Sequence, residues 1–408
     1  MNKKKIINDP VYGFISVRND LVFDLIEHPY FQRLRYIRQL GMTHLVYPGA
    51  LHTRFHHALG AMHLMALAIE TLRGKGHRIT DEEEEAVTVA ILLHDIGHGP
   101  FSHALERTIV EGVSHEDISH LLMGSLNAQF GGRLSVAIDV FNGTYHKRFL
   151  HELVSGQLDM DRMDYLNRDS FFTGVSEGVI SFDRIIKMLN VVDDHIAVEE
   201  KGIYSIEKFL IARRLMYWQV YLHKTVIAAE QLLANILRRA RELALEGQLL
   251  FATPALKHFL EKPISKSSFE TDDSHLEVFA QLDDTDIMAS IKVWEQSSDF
   301  VLSRLCKMLM QRNLYHVDIT NEPPDEKQLA KLRSKAVKAY PITTDEAGCF
   351  VFADTITNNA YRQGDGSIRI LMKNGTVQDI TTASDNSNLK VLAQTVKKYI
   401  VCYTKDLI

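Results

Sequence analysis

The sequence contains few cysteines, few prolines and no long apolar run, and each of these shortages excludes a class of protein. Its 3 cysteines, Cys306, Cys349 and Cys402, are too few and too scattered for a disulfide framework or a cysteine zinc site. With 9 prolines and 22 glycines in 408 residues, the chain is neither collagen-like nor of low complexity. The longest apolar run, residues 86–93, is less than half of the roughly 20 residues that a membrane helix needs.

The N-terminus and the net charge narrow the class further. The first residues are basic but lack the apolar stretch of a signal peptide, so we expect a cytoplasmic protein without membrane attachment. With 46 Lys and Arg against 52 Asp and Glu, the formal net charge is −6. The overall field therefore does not favour nucleic acid, and binding of nucleic acid is left open without being indicated. An anionic substrate would have to be held by local Arg and Lys side chains.

The spacing of apolar residues predicts a mainly α-helical fold with a short N-terminal β-hairpin and a small C-terminal α+β part. Thr80 and Glu83 form a capping box before the apolar run 86–93, so this helix should be central and buried. Gly97 stands where a residue that ends this helix is expected. The other expected elements are a hairpin over 5–17, helices over 116–129, 206–246 and 388–404, a loop over 262–275, and strands at 348–352 and 367–372.

Histidine is what the sequence has in excess. There are 19 histidines, and 11 of them lie between His44 and His120, where an even spread would place between 3 and 4. Clustering of this kind marks metal or proton-transfer chemistry more often than packing.

The adjacent pair His94 and Asp95 lies at the end of the apolar helix. A buried, charged aspartate there needs a cation or strong hydrogen-bond donors. Imidazole and carboxylate ligands together suit a first-row divalent metal ion such as Mn²⁺, Fe²⁺, Co²⁺ or Zn²⁺. For this pair alone, a buried His–Asp hydrogen bond explains the sequence equally well. The other histidines of the cluster and the acidic segment 158–169 favour the metal.

Two stripes of polar residues lie at helical spacing. Asp161, Tyr165 and Asp169 are spaced i, i+4 and i+8, with Arg162 beside them. A second stripe, whose cations and phenols suit phosphates and a sugar, consists of Arg213, Tyr217, Tyr221 and Lys224. For each stripe, a solvated helix face remains an alternative.

These motifs resemble a known family. A histidine, then His-Asp, then a distant Asp resembles the HD superfamily of metal-dependent phosphohydrolases. Over roughly residues 3–250, longer strings are similar to deoxynucleoside triphosphate triphosphohydrolases of the SAM-and-HD-domain type, with no SAM domain expected upstream. The strings are residues 32–41, 47–50, 54–57, 94–103 and 159–169.

The resemblance implies a role for each matching residue. The implied ligands of one divalent ion (Mn, Fe, Co, Zn or Ni) are His57, His94, Asp95 and Asp161, and Mg²⁺ would accompany the nucleotide. The implied catalytic residues are His98, His103, Glu106 and His115. The implied contacts to phosphates are Arg54, Arg162, Lys224 and Arg213, those to the sugar are Tyr165, Asp169 and Tyr221, and Gln39 and Leu40 would border the sugar and base.

The expected reaction is attack of water on the α-phosphorus of a deoxynucleoside triphosphate, which gives a deoxynucleoside and inorganic triphosphate. The sequence departs from the eukaryotic members at Glu106, where they carry Asp, and in a shorter link from His103 to His115. Other HD phosphohydrolases stay open, namely a nucleotidase, a phosphodiesterase or an alarmone hydrolase. A nucleotide-sensing or nucleic-acid-binding module with a relict metal site is the alternative without catalysis, although all four ligands are present.

The resemblance also implies a domain division and an assembly. We expect an HD phosphohydrolase domain over residues 1–250, with a catalytic core at roughly 30–225, then a helical extension over 251–320 and a small α+β domain over 321–408. A homo-oligomer, dimer or tetramer, is expected. The segment that binds an activating guanine nucleotide between subunits in the eukaryotic relatives is matched here by Lys5, Ile6, Asn8, Gln32 and Arg35.

Two substitutions count against that nucleotide site. Glu27 replaces the Asp expected to contact the guanine edge, and Asn190 stands where a phosphate-binding Arg would be. The alternative is that the N-terminus and the face carrying Gln32 and Arg35 are simply solvated.

Overall fold

The computed structural model describes residues 5–17, 19–101, 103–106, 108–110, 112–358, 361, 364, 366–386 and 388–407, with the backbone alone for residues 103, 106 and 391. Helices dominate this part of the chain and the strands form small sheets, which confirms the mainly α class with an N-terminal hairpin and C-terminal strands.

The helices are numbered in chain order. They are Asp20–Glu27 (α1), Pro29–Gln32 (α2), Arg54–Gly74 (α3), Asp81–Leu93 (α4), His103–Glu106 (α5), His115–Gln129 (α6), Ser135–Asn142 (α7), Arg148–Ser155 (α8), Met160–Thr173 (α9), Phe182–Met188 (α10), Ile203–Met216 (α11), Lys224–Leu245 (α12), Pro254–Glu261 (α13), Lys266–Thr271 (α14), Asp273–Phe279 (α15), Asp284–Trp294 (α16), Phe300–Met310 (α17), Glu326–Ala339 (α18), Ile380–Ala383 (α19) and Asn388–Leu392 (α20).

The strands form a hairpin and two further sheets. They are Lys5–Asp9 (β1), Gly13–Val17 (β2), Leu189–Val192 (β3), His195–Glu199 (β4), His316–Thr320 (β5), Val351–Asn358 (β6), Arg369–Leu371 (β7), Val377–Asp379 (β8) and Val396–Tyr403 (β9). β1 and β2 pair with each other, one sheet has the order β3-β4-β7-β8, and another has the order β5-β9-β6. β4 and β7 run parallel, whereas the other pairs between these strands are antiparallel.

Helix α4 is central and buried, as the sequence predicts. The Thr80 hydroxyl accepts the N–H of Glu83 (3.2 Å), and a Glu83 carboxylate oxygen accepts the N–H of Thr80 (2.8 Å), so the capping box is formed. Nearly every side chain from Ala86 to Leu93 is buried. α3 packs against both α4 and α9, and this arrangement brings the ends of three buried helices together.

Three element predictions are wrong. Residues 388–404 form the short helix α20 and then β9, because β9 finds hydrogen-bond partners in β5 and β6 on both sides. Residues 262–275 are not a loop but contain α14 and the start of α15, where Phe269 and Leu276 are buried. Sequence periodicity indicates neither the strand pairing of β9 nor the burial of Phe269 and Leu276, because both depend on residues distant in sequence.

The third wrong prediction is the continuous helix over 206–246. The chain forms one turn of π-helix over Tyr217–Tyr221 after α11, and α12 begins anew at Lys224, where His223 caps it. Helical spacing therefore no longer relates Lys224 to Arg213.

The C-terminal strands are joined to the rest of the chain through a shared sheet. β7 pairs with β4, which lies in the region expected to belong to the main domain. The division into three domains stays a prediction. Among the described residues, no helix combines the length and the apolar character needed to cross a membrane.

Candidate active site

Three helix ends bring the predicted metal ligands together. His57 lies in the first turn of α3, His94 directly follows α4, and Asp161 lies in the first turn of α9. His57 Nε2 is 3.1 Å from Asp161 Oδ1, His94 Nε2 is 3.6 Å from the same oxygen, and the two Nε2 atoms are 3.4 Å apart. These three donors are close enough to one another to hold a metal ion.

The outer nitrogens of both rings test whether a metal fits. His57 Nδ1 lies 2.7 Å from a carboxylate oxygen of Asp164, and His94 Nδ1 lies 2.6 Å from the carbonyl oxygen of Ile91. Both acceptors require Nδ1 to carry the proton, so each Nε2 is left with its lone pair. Two lone pairs facing each other at 3.4 Å repel unless a cation lies between them. The donor set therefore fits a divalent metal ion.

The ionisation of these groups reflects the same demand for a cation. Burial by itself lowers the pKa of His57, but hydrogen bonds to Asp161 and Asp164 outweigh it and raise the pKa to about 10. Burial likewise opposes ionisation of Asp161, whose pKa is nevertheless lowered by hydrogen bonds to His57 and His94. A second proton on the His57 ring would meet this demand, and a divalent ion bound at Nε2 would meet it in place of that proton.

Asp95 joins this metal-donor group to a second cluster. Its Oδ1 lies 3.4 Å from His94 Nε2 and 3.4 Å from His98 Nε2, and its Oδ2 accepts a hydrogen bond from Arg54. Asp95, His98 and His115 form another group whose donor atoms lie close together. The Arg54 guanidinium is buried, so its positive charge offsets the negative charge of Asp95 in a place where solvent does not screen the interaction.

His98 and His115 stack on each other with ring centroids 3.8 Å apart. Burial and the charge of Arg54 lower the pKa of His98 to about 3, so His98 is neutral near pH 7. Gly97 makes this stacking possible, because a Cβ there would lie 2.3 Å from the backbone oxygen of His115. Gly97 does not have the left-handed backbone of a helix-ending glycine, so its expected role is corrected to that of a close approach. The side chains of His103 and Glu106 lie outside the described residues.

One cavity is lined by metal donors, and a second cavity is linked to it through Arg54. The first, of about 690 Å³, is lined by His94, Asp95, His115, Asp161 and Arg162 and by residues of α6, α8 and α14. The second, of about 560 Å³, is lined by Gln39, Leu40, Arg54, Tyr217 and Tyr221 and by residues of α12 and β6. Arg54 lines the second cavity and contacts Asp95 in the first.

The three predicted sugar contacts, Tyr165, Asp169 and Tyr221, lie together. Asp169 is buried and has both carboxylate oxygens engaged, one at 2.8 Å from His52 Nε2 and the other accepting the Tyr221 hydroxyl at 2.7 Å. Tyr221 and Tyr165 meet edge to face, with ring centroids 6.2 Å apart. Arg213 is buried, with its guanidinium 5.9 Å from the centre of the Tyr217 ring.

Not every predicted contact joins this site. Arg162 lies at the first cavity, but its guanidinium donates to Asp159 and to the carbonyl oxygen of Gly156. Lys224 is exposed and lines a separate cavity of about 210 Å³ together with Arg312 and Lys405. The described structure thus separates Lys224 from the cavities of the metal donors.

The residues predicted for an activating nucleotide lie around α1 and α2. Lys5 forms an exposed ion pair with Glu27 at 2.7 Å. Gln32 donates to the carbonyl oxygen of Ile26 (2.7 Å), and Arg35 donates to the Gln32 side chain (2.7 Å). In the hairpin, Asn8 pairs with Phe14, and the Ile6 side chain is exposed.

The sequence motifs do not single out two further residues of the site, Asp164 and His52. Asp164 fixes the ring of His57, and the available signal was its position three residues after Asp161 on the same helix. His52 precedes the Arg54-to-His57 motif by two residues, and its only signal in the sequence is its place in the histidine cluster.

Comparisons with known proteins agree with this geometry. Residues 54–169 match the family model of the HD domain, and residues 180–253 match that of the HD associated region. The chain is similar to a phosphohydrolase of Bacteroides thetaiotaomicron whose crystal structure is known, with 53% identity, a TM-score of 0.95 and coverage of 98% of this chain and 100% of that one. It is also 32% identical to the uncharacterized protein YwfO of Bacillus subtilis, over 94% of this chain and 88% of that protein.

A further relative is a deoxynucleoside triphosphate triphosphohydrolase SAMHD1 homolog of Dictyostelium discoideum. It is 33% identical over 60% of this chain, and the match spans about half (51%) of that protein. The chain belongs to the HD superfamily of metal-dependent phosphohydrolases, and the matched residues 54–169 include His57, His94, Asp95 and Asp161.

Proposed function

We propose that this protein hydrolyses deoxynucleoside triphosphates, dGTP or several of the four, to deoxynucleoside and inorganic triphosphate. The observation that carries the proposal is that Arg54, which donates to Asp95 at the metal-donor group, also lines a cavity together with Gln39, Tyr217 and Tyr221. A monophosphate or a metal ion alone needs no such extended polar cavity. The similarity to the Dictyostelium deoxynucleoside triphosphate triphosphohydrolase homolog supports the same substrate class.

Each wall of the second cavity offers a different kind of contact to a nucleotide. Within the described residues, Gln39 Oε1 is buried without a hydrogen-bond partner, so it is an acceptor that a bound ligand would satisfy. The Tyr221 hydroxyl, held by Asp169, borders the same space. We assign Gln39 and Leu40 to the base and sugar, and Tyr165, Asp169 and Tyr221 to the sugar.

The phosphates would lie around Arg54, which lines the second cavity and contacts Asp95 of the first. Arg54, next to Asp95, and Arg162, next to Asp161, offset the negative charge of the triphosphate, with Arg213 farther along. The residues that would hold the divalent ion are His57, His94, Asp95 and Asp161. The chemistry that such an ion supplies is the acidification of water and the polarisation of a phosphoryl oxygen.

Proton transfer to the leaving oxygen is assigned to the second cluster. His98 is neutral, and its stacking holds His115 at the edge of the first cavity beside Asp95. We propose His115 as the proton donor to the leaving oxygen, with His98, His103 and Glu106 assisting at the α-phosphate. Acid–base assistance of this kind contributes roughly 10²–10⁴ in rate.

A substrate panel in ¹⁸O-labelled water tests the proposal. The four dNTPs, the four NTPs, nucleoside monophosphates, cyclic nucleotides and a guanosine tetraphosphate are incubated with the metal-loaded protein. We expect only dNTPs to be consumed, with ¹⁸O in the released triphosphate and none in the nucleoside. Release of pyrophosphate or orthophosphate, or turnover of another class alone, would refute it in favour of another HD phosphohydrolase. Tight binding without turnover in Mn²⁺, Fe²⁺, Co²⁺, Ni²⁺, Zn²⁺ and Mg²⁺ would instead favour a sensing module.

We further propose a homo-oligomer, a dimer or tetramer, that a guanine nucleotide activates through Lys5, Ile6, Asn8, Gln32 and Arg35. The proximity of Lys5, Glu27, Gln32 and Arg35 around α1 supports this assignment. If nucleotide bridges subunits, mass action requires it to raise the oligomer fraction and the activity together. Light scattering and initial rates with and without GTP or dGTP measure both. An unchanged mass with unchanged rates would leave a constitutive enzyme.

A further inference from the structure

A chain of buried ionic contacts connects the N-terminal hairpin to the metal-donor group. Asp9, the last residue of β1, lies 2.8 Å from the Arg168 guanidinium. Arg168 in turn holds both oxygens of Asp164, at 2.9 and 3.0 Å. Asp164 then accepts the Nδ1 proton of His57 at 2.7 Å. Three contacts thus connect Asp9 to the His57 ring, and all four residues are buried.

At the hairpin end of this series of contacts, the backbone of the hairpin turn fixes the Asp9 side chain. While Oδ2 of Asp9 contacts Arg168, its Oδ1 accepts the N–H groups of Val11 (2.9 Å) and Tyr12 (3.0 Å) in the hairpin turn. The Tyr12 ring packs edge to face on Phe182 of α10, with centroids 5.2 Å apart. The position of the Asp9 carboxylate is therefore set by the turn and by what the turn packs against.

Near His57, the side chains of Asp164 and Arg168 pack tightly against helix α3 at Gly60. Gly60 lies one turn after His57 on α3, and a Cβ there would be 2.0 Å from Asp164 Oδ1 and 2.1 Å from the Arg168 guanidinium. Such distances are far below contact, so the carboxylate and guanidinium pack directly on the backbone of α3. Any side chain at position 60 would displace the pair that orients His57.

We propose that Asp9 and Arg168 are positioning residues of the metal centre, and that the hairpin thereby sets the affinity of the site for its ion. This inference rests on the metal site of the proposed function and not on the identity of the substrate. Arg168 would hold Asp164 in the one orientation that keeps the proton on His57 Nδ1 and directs Nε2 to the metal. Without Asp9, a buried guanidinium loses one of its two carboxylates, and the Asp164–Arg168 pair is free to shift.

Cobalt titration of the purified protein tests this inference without any substrate. Co²⁺ is the probe, because its visible absorption reports both its affinity and the geometry of its ligands. We expect Asp9→Asn and Gly60→Ala each to weaken Co²⁺ binding by about 10–100-fold, the range typical for residues that orient metal ligands, and to change the absorption spectrum. Circular dichroism confirms that each variant is folded.

The matched controls carry the same chemical changes at other places. Asp299→Asn breaks a partly buried contact to Arg239 (2.6 Å) between α17 and α12, and Gly124→Ala adds a methyl to open space on α6. Both controls should bind Co²⁺ like the wild type, whatever they do to stability. Wild-type affinity and spectrum in a folded Asp9→Asn or Gly60→Ala variant would overturn the inference. If one variant does not fold, the other decides, and a failed dNTP assay leaves this result unaffected.

Discussion

At the scale of single residues, the site depends on which nitrogen of each imidazole carries its proton. The Asp164 carboxylate fixes the proton on Nδ1 of His57, and the Ile91 carbonyl fixes it on Nδ1 of His94. Asp164 lies on α9, which also carries Asp161, and Ile91 lies on α4, which ends just before His94. The ligands are thus oriented by the secondary structure itself, which costs little additional conformational entropy when a metal binds.

Asp161 supplies the carboxylate oxygen shared by both histidines, so its removal should abolish metal binding. We expect Asp161→Ala, and likewise His94→Ala, to lower activity by at least about a thousandfold, because the metal contributes several kcal/mol to the transition state. Metal content by mass spectrometry and dNTP turnover measure the effect. Asp385→Ala, at an exposed position, is the control and should keep both properties. Full metal occupancy in Asp161→Ala would contradict the ligand assignment.

Asp284 at the start of α16 gives a prediction for pH. Its buried carboxyl accepts the N–H groups of Arg38 and Phe101, both at 3.1 Å, and burial raises its pKa from 3.8 to about 6. Between these values the folded protein binds the proton more tightly than the unfolded chain. The contribution of Asp284 to stability is therefore full below about pH 4 and is lost as the pH rises through 6.

The Asp284→Asn variant isolates that contribution. The difference in free energy of unfolding, wild type minus variant, should fall by up to about 3 kcal/mol between pH 4 and pH 7. Denaturant unfolding of both proteins at several pH values gives this difference. The amide also loses one backbone hydrogen bond, but that cost is independent of pH. Parallel stability curves would show that Asp284 titrates normally.

The sequence predicts single residues well where a motif encodes their proximity and poorly elsewhere. His57, His94, Asp95 and Asp161 are found together because adjacent or helix-end positions recur in the motif. The contact between Asp9 and Arg168 joins residues 159 positions apart, and no periodicity or spacing indicates it. For Lys224, the helical stripe that relates it to Arg213 assumes a continuous helix, and the π-helical turn over Tyr217–Tyr221 interrupts that helix.

At the scale of elements, the loop after α4 and the start of α6 approach each other so closely that only glycine fits between them. A Cβ at Gly97 would lie 2.3 Å from both the His115 oxygen and the Ser119 nitrogen, which are backbone atoms. The Ser119 hydroxyl also accepts the N–H of Gly97 (2.9 Å) and donates to the carbonyl oxygen of His94 (2.9 Å). These contacts set the distance between the metal ligands and His115.

Gly97→Ala should therefore damage both stability and activity. Forcing a methyl between two backbones costs typically 1–3 kcal/mol, and the resulting shift moves His115 away from Asp95. Thermal unfolding and the initial rate at saturating substrate measure the two effects. Gly124→Ala, in open space on α6, should stabilise the protein by up to about 1 kcal/mol without changing the rate. Equal behaviour of the two variants would contradict the close approach.

Helices with their own caps are the elements that the sequence predicts best. α4 and α6 are capped by Thr80 and Ser114, whose side chains accept backbone N–H groups three residues later. β9 was predicted as a helix because its partners, β5 and β6, lie far away in sequence. Strand pairing of this kind is a tertiary effect that local propensity does not carry.

At the scale of the whole molecule, the C-terminal strands are tied to the helical part at two places. β7 extends the sheet of β3 and β4, and β5, which follows α17, pairs with the central strand β9. α12 packs against both α17 and β5, so the helix that begins near the second cavity also supports the C-terminal sheet. Cooperative unfolding of the two regions follows from such shared surfaces.

Metal-dependent unfolding tests this coupling. A metal ion that binds only the folded state at 100 times its dissociation constant stabilises it by about 2.7 kcal/mol, which raises Tm by about 3 °C in a chain of 408 residues. We expect calorimetry to show one transition that shifts as a whole, and no shift in Asp161→Ala. Two transitions, of which metal moves only one, would instead establish the predicted boundary near residue 320 as a division between independent domains. The shared sheet favours the single transition, because β4 and β7 cannot separate without exposing the backbone hydrogen-bonding groups that pair them.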